Sequence, residues 1–307
     1  MMGYIGTTMI GLEEAAIKET SGKLHTPGRV FFETFDEAKE YRTVDCIYEL
    51  YVEGTCSTLD DLKKAVNDLT LFEKGTFKCL CTREGDHPFT SGMVRQEIGG
   101  LMESDDLEYR RDTPDHIIII DIVDTMFRIG VIKRQELAKR SYRLKLHNQT
   151  TPPLLAACLV KYAHLQPNES LLCLECRDGI IPIEAKLQGV TKILGQDRFP
   201  NCIRNAIINS KLAKMDIDFI ATSITQVKDS FDVGITQCIF SKEKGNPFRI
   251  INEIMTTAKN VIQKKLIILT NHPEDIETYR PDCFKEVEKK DIIHKQMPLT
   301  VLVYEKV

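Results

Sequence analysis

Three groups of residues in this 307-residue chain have types and spacings that could do chemistry. The first is Leu172-Cys173-Leu174-Glu175-Cys176-Arg177-Asp178-Gly179-Ile180, an apolar run ending in charged residues and a glycine. A glycine just after a strand lets the backbone come close to a bound ligand. The run also contains Cys173-Leu-Glu-Cys176, a lone pair of thiols. Zinc would need two more ligands at compatible spacing, and a redox pair would need a thioredoxin-like setting. Neither is visible, so no metal is expected. The second group is Asp197, at the end of the next strand-like run. An acid there is placed to accept hydrogen bonds from ribose hydroxyls, although helix capping or a plain surface charge would also explain it. The third is the stretch from Arg128 to Lys145, with seven basic residues against Glu136 alone. Such a run is either a solvated face or a phosphate-binding surface.

Composition limits the context. Apolar residues make up 42% and charged residues 28%, as in an ordinary folded protein. The net charge of −4 excludes a chain that coats nucleic acid through bulk positive charge, but leaves room for a local basic site. No apolar run reaches the roughly 18 residues that span a bilayer. The N-terminus shows no secretory signal. The ten cysteines are scattered and mostly apolar in setting, which predicts buried thiols and a cytoplasmic protein.

The elements that must position these residues follow from periodicity. Strands are expected at Tyr4 to Ile10, Arg29 to Glu33 and Val44 to Val52. Helices are expected at Leu12 to Thr20, at a short stretch from Phe35 to Tyr41, and after a cap at Thr58. A strand from Phe77 to Cys81 leads through a turn to a helix capped by Thr90 or Ser91. His116 to Val123 and Met126 to Ile132 read as a strand pair. Asn148-Gln149-Thr150-Thr151-Pro152-Pro153 reads as a domain boundary. Beyond it, strands and helices alternate, which predicts a mostly parallel sheet covered on both faces. Cys283 to Ile293 and Thr300 to Tyr304 close the chain as an antiparallel hairpin. The fold class is α/β.

These residues carry a resemblance. Gly3 to Glu19, the run Phe77-Lys-Cys-Leu-Cys-Thr-Arg-Glu-Gly-Asp-His-Pro-Phe-Thr-Ser, Arg95 to Gly99, Pro114-Asp115 and Leu137 to Arg143 resemble THUMP-containing RNA-modifying enzymes. Pro152-Pro153-Leu-Leu-Ala-Ala, Gly195-Gln-Asp197, Phe231-Asp232-Val233 and the closing hairpin resemble the Rossmann-like domain of tRNA and rRNA guanine-N2-methyltransferases. The resemblance implies an N-terminal ferredoxin-like domain over 1–72, a THUMP domain over 73–147 and a methyltransferase-like domain over 148–307. It implies tRNA as partner and S-adenosylmethionine as the cofactor of an intact member.

The functional motifs depart from that pattern. After the first strand of the C-terminal half the family reads roughly Leu-Asp-Pro-x-Cys-Gly-Ser-Gly-Thr. Here the Asp is Cys173, the Pro is Leu174 and the first Gly is Arg177, whose side chain would crowd a cofactor; Gly179 survives. Asp197 matches the ribose acid, while Ser223 replaces the acid on the adenine side. The catalytic Asn/Asp-Pro-Pro-aromatic motif becomes Thr236-Gln237-Cys238-Ile239-Phe240. Asn246-Pro247-Phe248 lies about ten residues too far along and reads as a helix start. The expected cofactor contacts are therefore Gly179 and Asp197, and the expected RNA contacts Arg83, His87, Arg95, Lys139, Arg140, Tyr142 and Arg143. The expectation is a tRNA-binding protein whose methyltransferase-like domain has lost or altered its chemistry and serves as a scaffold or protein-partner surface. The alternative is an active guanine-N2-methyltransferase in which Gln237 and Phe240 replace the usual motif.

Overall fold

The computed structural model describes residues 3–67, 74–147, 150–166, 168–240, 247–294 and 297–307. It divides into two compact units. The first holds Met1–Thr7, Arg29–Lys39 and Asp45–Glu136; the second holds Thr8–Gly28, Glu40–Val44 and Leu137–Val307. The Asn148-Gln149 part of the expected boundary lies outside the described residues.

In chain order the first half runs β1 (Gly3–Thr7), α1 (Glu13–Thr20), β2 (Lys23–Thr26), β3 (Arg29–Phe32), β4 (Cys46–Thr55), α2 (Leu59–Asn67), β5 (Gly75–Glu84), α3 (Ser91–Leu101), β6 (Leu107–Tyr109), β7 (His116–Val123) and β8 (Met126–Arg134). Of these, α1 and β2 belong to the second unit. Within the first unit the strands lie in the order β3-β1-β4-β8-β7-β5-β6. Strands from both sides of residue 72 thus share one sheet. The isoleucine-rich β7 sits inside it, parallel to β5 and antiparallel to β8. β-branched side chains suit a strand buried on both faces.

Local chemistry sets the helix starts. Thr58 and Asp61 form a capping box: the Asp61 carboxylate accepts from the Ser57 and Thr58 amides, and the Thr58 hydroxyl accepts from the Asp61 amide. Thr90 caps α3 by accepting from the Met93 amide at 3.2 Å. Both helices bury Leu62, Val94 and Ile98 against Phe77, Ile118 and Ile120 of the sheet. The expected helix at Phe35 to Tyr41 does not form. Asp36 instead accepts from the Ala38 amide at 2.9 Å, a local turn that competes with helix.

The second half continues with α4 (Pro153–Ala163), β9 (Ser170–Leu174), α5 (Ile180–Leu187), β10 (Lys192–Asp197), α6 (Pro200–Leu212), β11 (Asp218–Ala221), β12 (Phe231–Cys238), α7 (Pro247–Val261), β13 (Ile262–Thr270), α8 (Pro273–Tyr279), β14 (Phe284–His294) and β15 (Met297–Lys306). The strand order is β11-β10-β9-β12-β13-β15-β14. β9 to β13 run parallel, and β15 is antiparallel to both neighbours. α1 packs in this unit: Leu12 and Ala15 share a core with Leu155, Leu159 and Ile183. Pro247 starts α7, while Asn246 lies outside the described residues. The short α8, also begun by a proline, is not evident from periodicity.

Candidate functional site

In an open α/β sheet, ligands bind outside the carboxyl ends of the strands, where the strand order reverses. Here the reversal lies between β9 and β12, so the segments after β9, β10 and β12 define the site. They are the same segments whose residue types stood out in the sequence.

The turn after β9 is tightly wound. Glu175, Arg177 and Gly179 have φ of 52°, 54° and 80°. A left-handed conformation costs a non-glycine residue roughly 1–2 kcal/mol. Gly179 starts α5, and a Cβ there would lie 2.8 Å from the Ala206 side chain on α6. Close packing of turn on helix therefore requires this glycine whether or not a ligand is present.

Arg177 turns inward and is 8% exposed. Its amide donates to Asp197 Oδ2 at 3.0 Å, and its guanidinium lies 3.1 Å from Glu175 Oε2 and 3.6 Å from Asp197 Oδ2. Asp197 Oδ1 accepts from the Phe199 amide at 2.9 Å. Arg198 Nε donates to the other Glu175 oxygen at 2.9 Å. Burial pushes the Glu175 carboxyl above its ordinary range, against the opposing charges of Arg177 and Arg198. His147 is held low by burial and by the charge of Arg177.

This arrangement bears on the expected cofactor contacts. The Asp197 carboxylate is fully buried; each oxygen accepts one backbone amide, and the Arg177 guanidinium stands 3.6 Å from Oδ2. A ribose cannot reach it while Arg177 holds this position. As they stand, these residues do not fit the adenosine half of S-adenosylmethionine.

The segment after β12 is also committed internally. The Thr236 hydroxyl donates to the Leu174 carbonyl at 3.0 Å. The Gln237 carboxamide oxygen accepts from the Thr151 hydroxyl, and Gln237 is buried. Cys238 is fully buried, its thiol pushed up to about 12 by burial. Ile239 packs into the core. The Phe240 amide donates to Asn271 at 3.1 Å and its carbonyl accepts from the same side chain at 2.9 Å. The Gln237 oxygen is thus already engaged once within the protein, by the Thr151 hydroxyl.

The expected RNA contacts separate into two groups. In the first unit, Arg83 ends β5 and lies 6.0 Å over the Phe89 ring. His87 bridges the Gly85 and Asp124 carbonyls. Arg95 is exposed on α3. The Cys81 thiol, raised by burial, feels the opposing charge of both Arg83 and Arg95, so the two cations share one end of the unit. In the second unit the stretch from 139 to 143 is different. Lys139 is exposed. Arg140 Nε donates to Glu184 at 2.7 Å, Tyr142 donates to the same carboxylate at 2.6 Å, and Arg42 lies 3.2 Å from its second oxygen. Arg143 donates to Asp178 at 3.2 Å. Tyr142 is buried, with its hydroxyl pushed up by burial and by Glu184. These contacts correct the expectation for Arg140, Tyr142 and Arg143, which tie the linker to buried carboxylates instead of facing solvent.

Glu184 and Arg42 were missed as a pair. The only sequence signal was a glutamate inside the apolar run Ile180-Ile181-Pro182-Ile183-Glu184-Ala185. Among the described residues no group of three or more His, Cys, Asp or Glu side chains could hold a metal ion.

The parallel strands, the reversal at β9 and β12 and the antiparallel β15 define the second unit as a Rossmann-like methyltransferase fold. No family model matches the chain. A tRNA (guanine(6)-N2)-methyltransferase of Archaeoglobus fulgidus is 26% identical to it, covering 87% of this chain and 82% of that protein. The enzyme of the same description from Methanocaldococcus jannaschii is 23% identical, covering 69% and 72%. Among solved structures, TrmN from Thermus thermophilus matches with a TM-score of 0.86 over all of both chains at 20% identity. SMU.472, complexed with SAH, matches at 0.80 and 14% identity over 100% of this chain and 98% of that one. The curated relatives are thus named as tRNA methyltransferases, and the fold is that of the solved structures. No helix among the described residues is long and apolar enough to cross a membrane.

Proposed function

We propose that this chain is a tRNA-binding protein built on the guanine-N2-methyltransferase plan, with a C-terminal domain that does not transfer methyl groups. The observation that carries this reading is the fully buried Asp197, with the Arg177 guanidinium between it and Glu175. The loss of the Asn/Asp-Pro-Pro-aromatic motif and the internal bond of Gln237 support it. The names of the two relatives support tRNA as the partner. In this reading residues 73–147 act as a THUMP module in the cytoplasm. Arg83 and Arg95 contact phosphates there, Lys139 adds a contact from the linker, and the C-terminal domain serves as scaffold or partner surface. Folded RNA is gripped mainly through phosphates and shape, which suits a few cations on an acidic protein.

A second reading, an active guanine-N2-methyltransferase, is favoured by one observation: both curated relatives carry that activity in their names and align over most of their length. The two are separated by titrating the protein with unmodified tRNA at low salt and assaying methyl transfer from S-adenosylmethionine. The proposal expects binding without transfer. Guanine methylation would overturn it in favour of the second reading, and absence of binding would overturn both.

A further inference from the structure

Arg177 is nearly closed off from solvent: its side chain is 10% exposed. Like the Nε of Arg42 and Arg83, its Nε has no hydrogen-bond partner among the described residues. Its backbone, at φ 54°, is in the region that favours glycine. The guanidinium is held between two buried carboxylates, one on each of the turns after β9 and β10. Those turns follow the carboxyl ends of the strands, the place where an open α/β sheet holds its ligands.

We infer that Arg177 determines what this crevice takes: its side chain is a built-in occupant that excludes adenosine-type ligands, and removing it opens a site for them. The inference rests on the proposed loss of methyl transfer and supplies its physical cause. In the native chain the guanidinium stands between Glu175 Oε2 and Asp197 Oδ2, on the carboxylate that a ribose diol would need. With glycine at 177 the backbone conformation is retained without strain. The guanidinium is then gone from beside Asp197 Oδ2, while the backbone amides of residues 177 and 199 still donate to the two oxygens. Exclusion comes from the bulk of the side chain as well as its charge. A methionine at 177 should therefore keep the crevice closed, although it cannot pair with either carboxylate.

The test is calorimetric titration of the full chain with S-adenosylhomocysteine. It compares wild type, Arg177→Gly, Arg177→Met and the double variant Glu175→Gln with Arg177→Gly. The double variant removes the surplus buried carboxylate that could destabilise the single glycine variant. Circular dichroism reports folding, and tRNA affinity is measured on the same samples. Wild type and Arg177→Met should show no micromolar binding, and a folded glycine variant should bind at least tenfold more tightly than wild type. Wild type binding as tightly as the glycine variants would overturn the inference, as would folded glycine variants that gain nothing. If neither glycine variant folds, Arg177 is a structural residue and the inference also fails. Loss of tRNA binding by wild type would overturn the proposed function while leaving the ligand result intact, so the two failures are distinguishable.

Discussion

Glu184 tests whether the linker cations are scaffold or RNA contacts. Its carboxylate is fully buried on α5, accepts from Arg140 at 2.7 Å and Tyr142 at 2.6 Å, and has Arg42 as an ion-pair partner 3.2 Å from its other oxygen. Arg140 and Arg42 are themselves 5% and 11% exposed. Glu184→Gln keeps the shape and removes the charge, leaving the buried Arg140 without a counter-ion and Arg42 with only the exposed Glu40. Breaking a buried ion pair from one side costs about 3–5 kcal/mol, because the stranded charge cannot recover its hydration. Tyr142→Phe removes one hydrogen bond to a charged acceptor, worth about 1.5–3 kcal/mol. The two should not add, since both act on one carboxylate. The chain has no tryptophan, so urea unfolding followed by far-UV circular dichroism is the suitable assay. At a slope of about 2–3 kcal/mol per molar urea, Glu184→Gln should lower the midpoint by about 1–2 M. A loss below about 1 kcal/mol would refute the claim that this carboxylate anchors the linker. Arg140→Met should likewise destabilise, with tRNA affinity of the folded fraction unchanged.

Three further outcomes follow from the same contacts. Asp121 accepts two bonds from Arg29 at 2.6 and 2.7 Å and one each from Tyr48 and Thr82 at 2.8 Å. Burial alone would raise its carboxyl, but Arg29 with Thr82 and Tyr48 outweighs this and holds it below the ordinary range. Its stabilisation is present above the unfolded value of about 3.9 and is lost as pH falls through the lower folded value. Asp121→Asn should therefore cost about 3–5 kcal/mol near pH 7, and the gap from wild type in thermal or urea unfolding should narrow below about pH 4. Gly179→Ala should destabilise by more than about 1 kcal/mol by the same urea assay, since it meets Ala206 at 2.8 Å in a left-handed conformation. Charge reversal at Arg95 and Lys139 should weaken tRNA binding and flatten its salt dependence by about one phosphate contact each; an unchanged filter-binding slope would remove both from the footprint.

Much of the architecture was legible because it is written in local periods. The alternation after Pro153 gave the parallel sheet, and the two closing runs gave the hairpin of β14 and β15. Thr58 and Thr90 were readable as caps because capping depends on residues three or four apart. β2 and β6, at four and three residues, are too short to carry a period. The stretch after Phe35 was misread because a single Asp36 turn decides it. At the candidate site, position 177 was legible as a crowding residue and Asp197 as an acid after a strand. What no spacing revealed is that each is the other's partner.

The basic stretch shows why charge along a chain is a poor guide to charge on a surface. Seven cations between 128 and 145 suggested one concentrated phosphate site. Arg128 is fully buried, 4.0 Å from Asp121. Lys133 pairs with Glu49 at 2.7 Å, Arg140 with Glu184 and Arg143 with Asp178. A guanidinium committed to a buried carboxylate releases no counter-ions from RNA, because its charge is already balanced inside the protein. The same neutralisation is repeated where Arg177 meets Glu175 and Asp197. In both places a cation is bound by the protein's own carboxylates. Internal carboxylates, found only through the fold, therefore decide which of its basic residues stay at the surface.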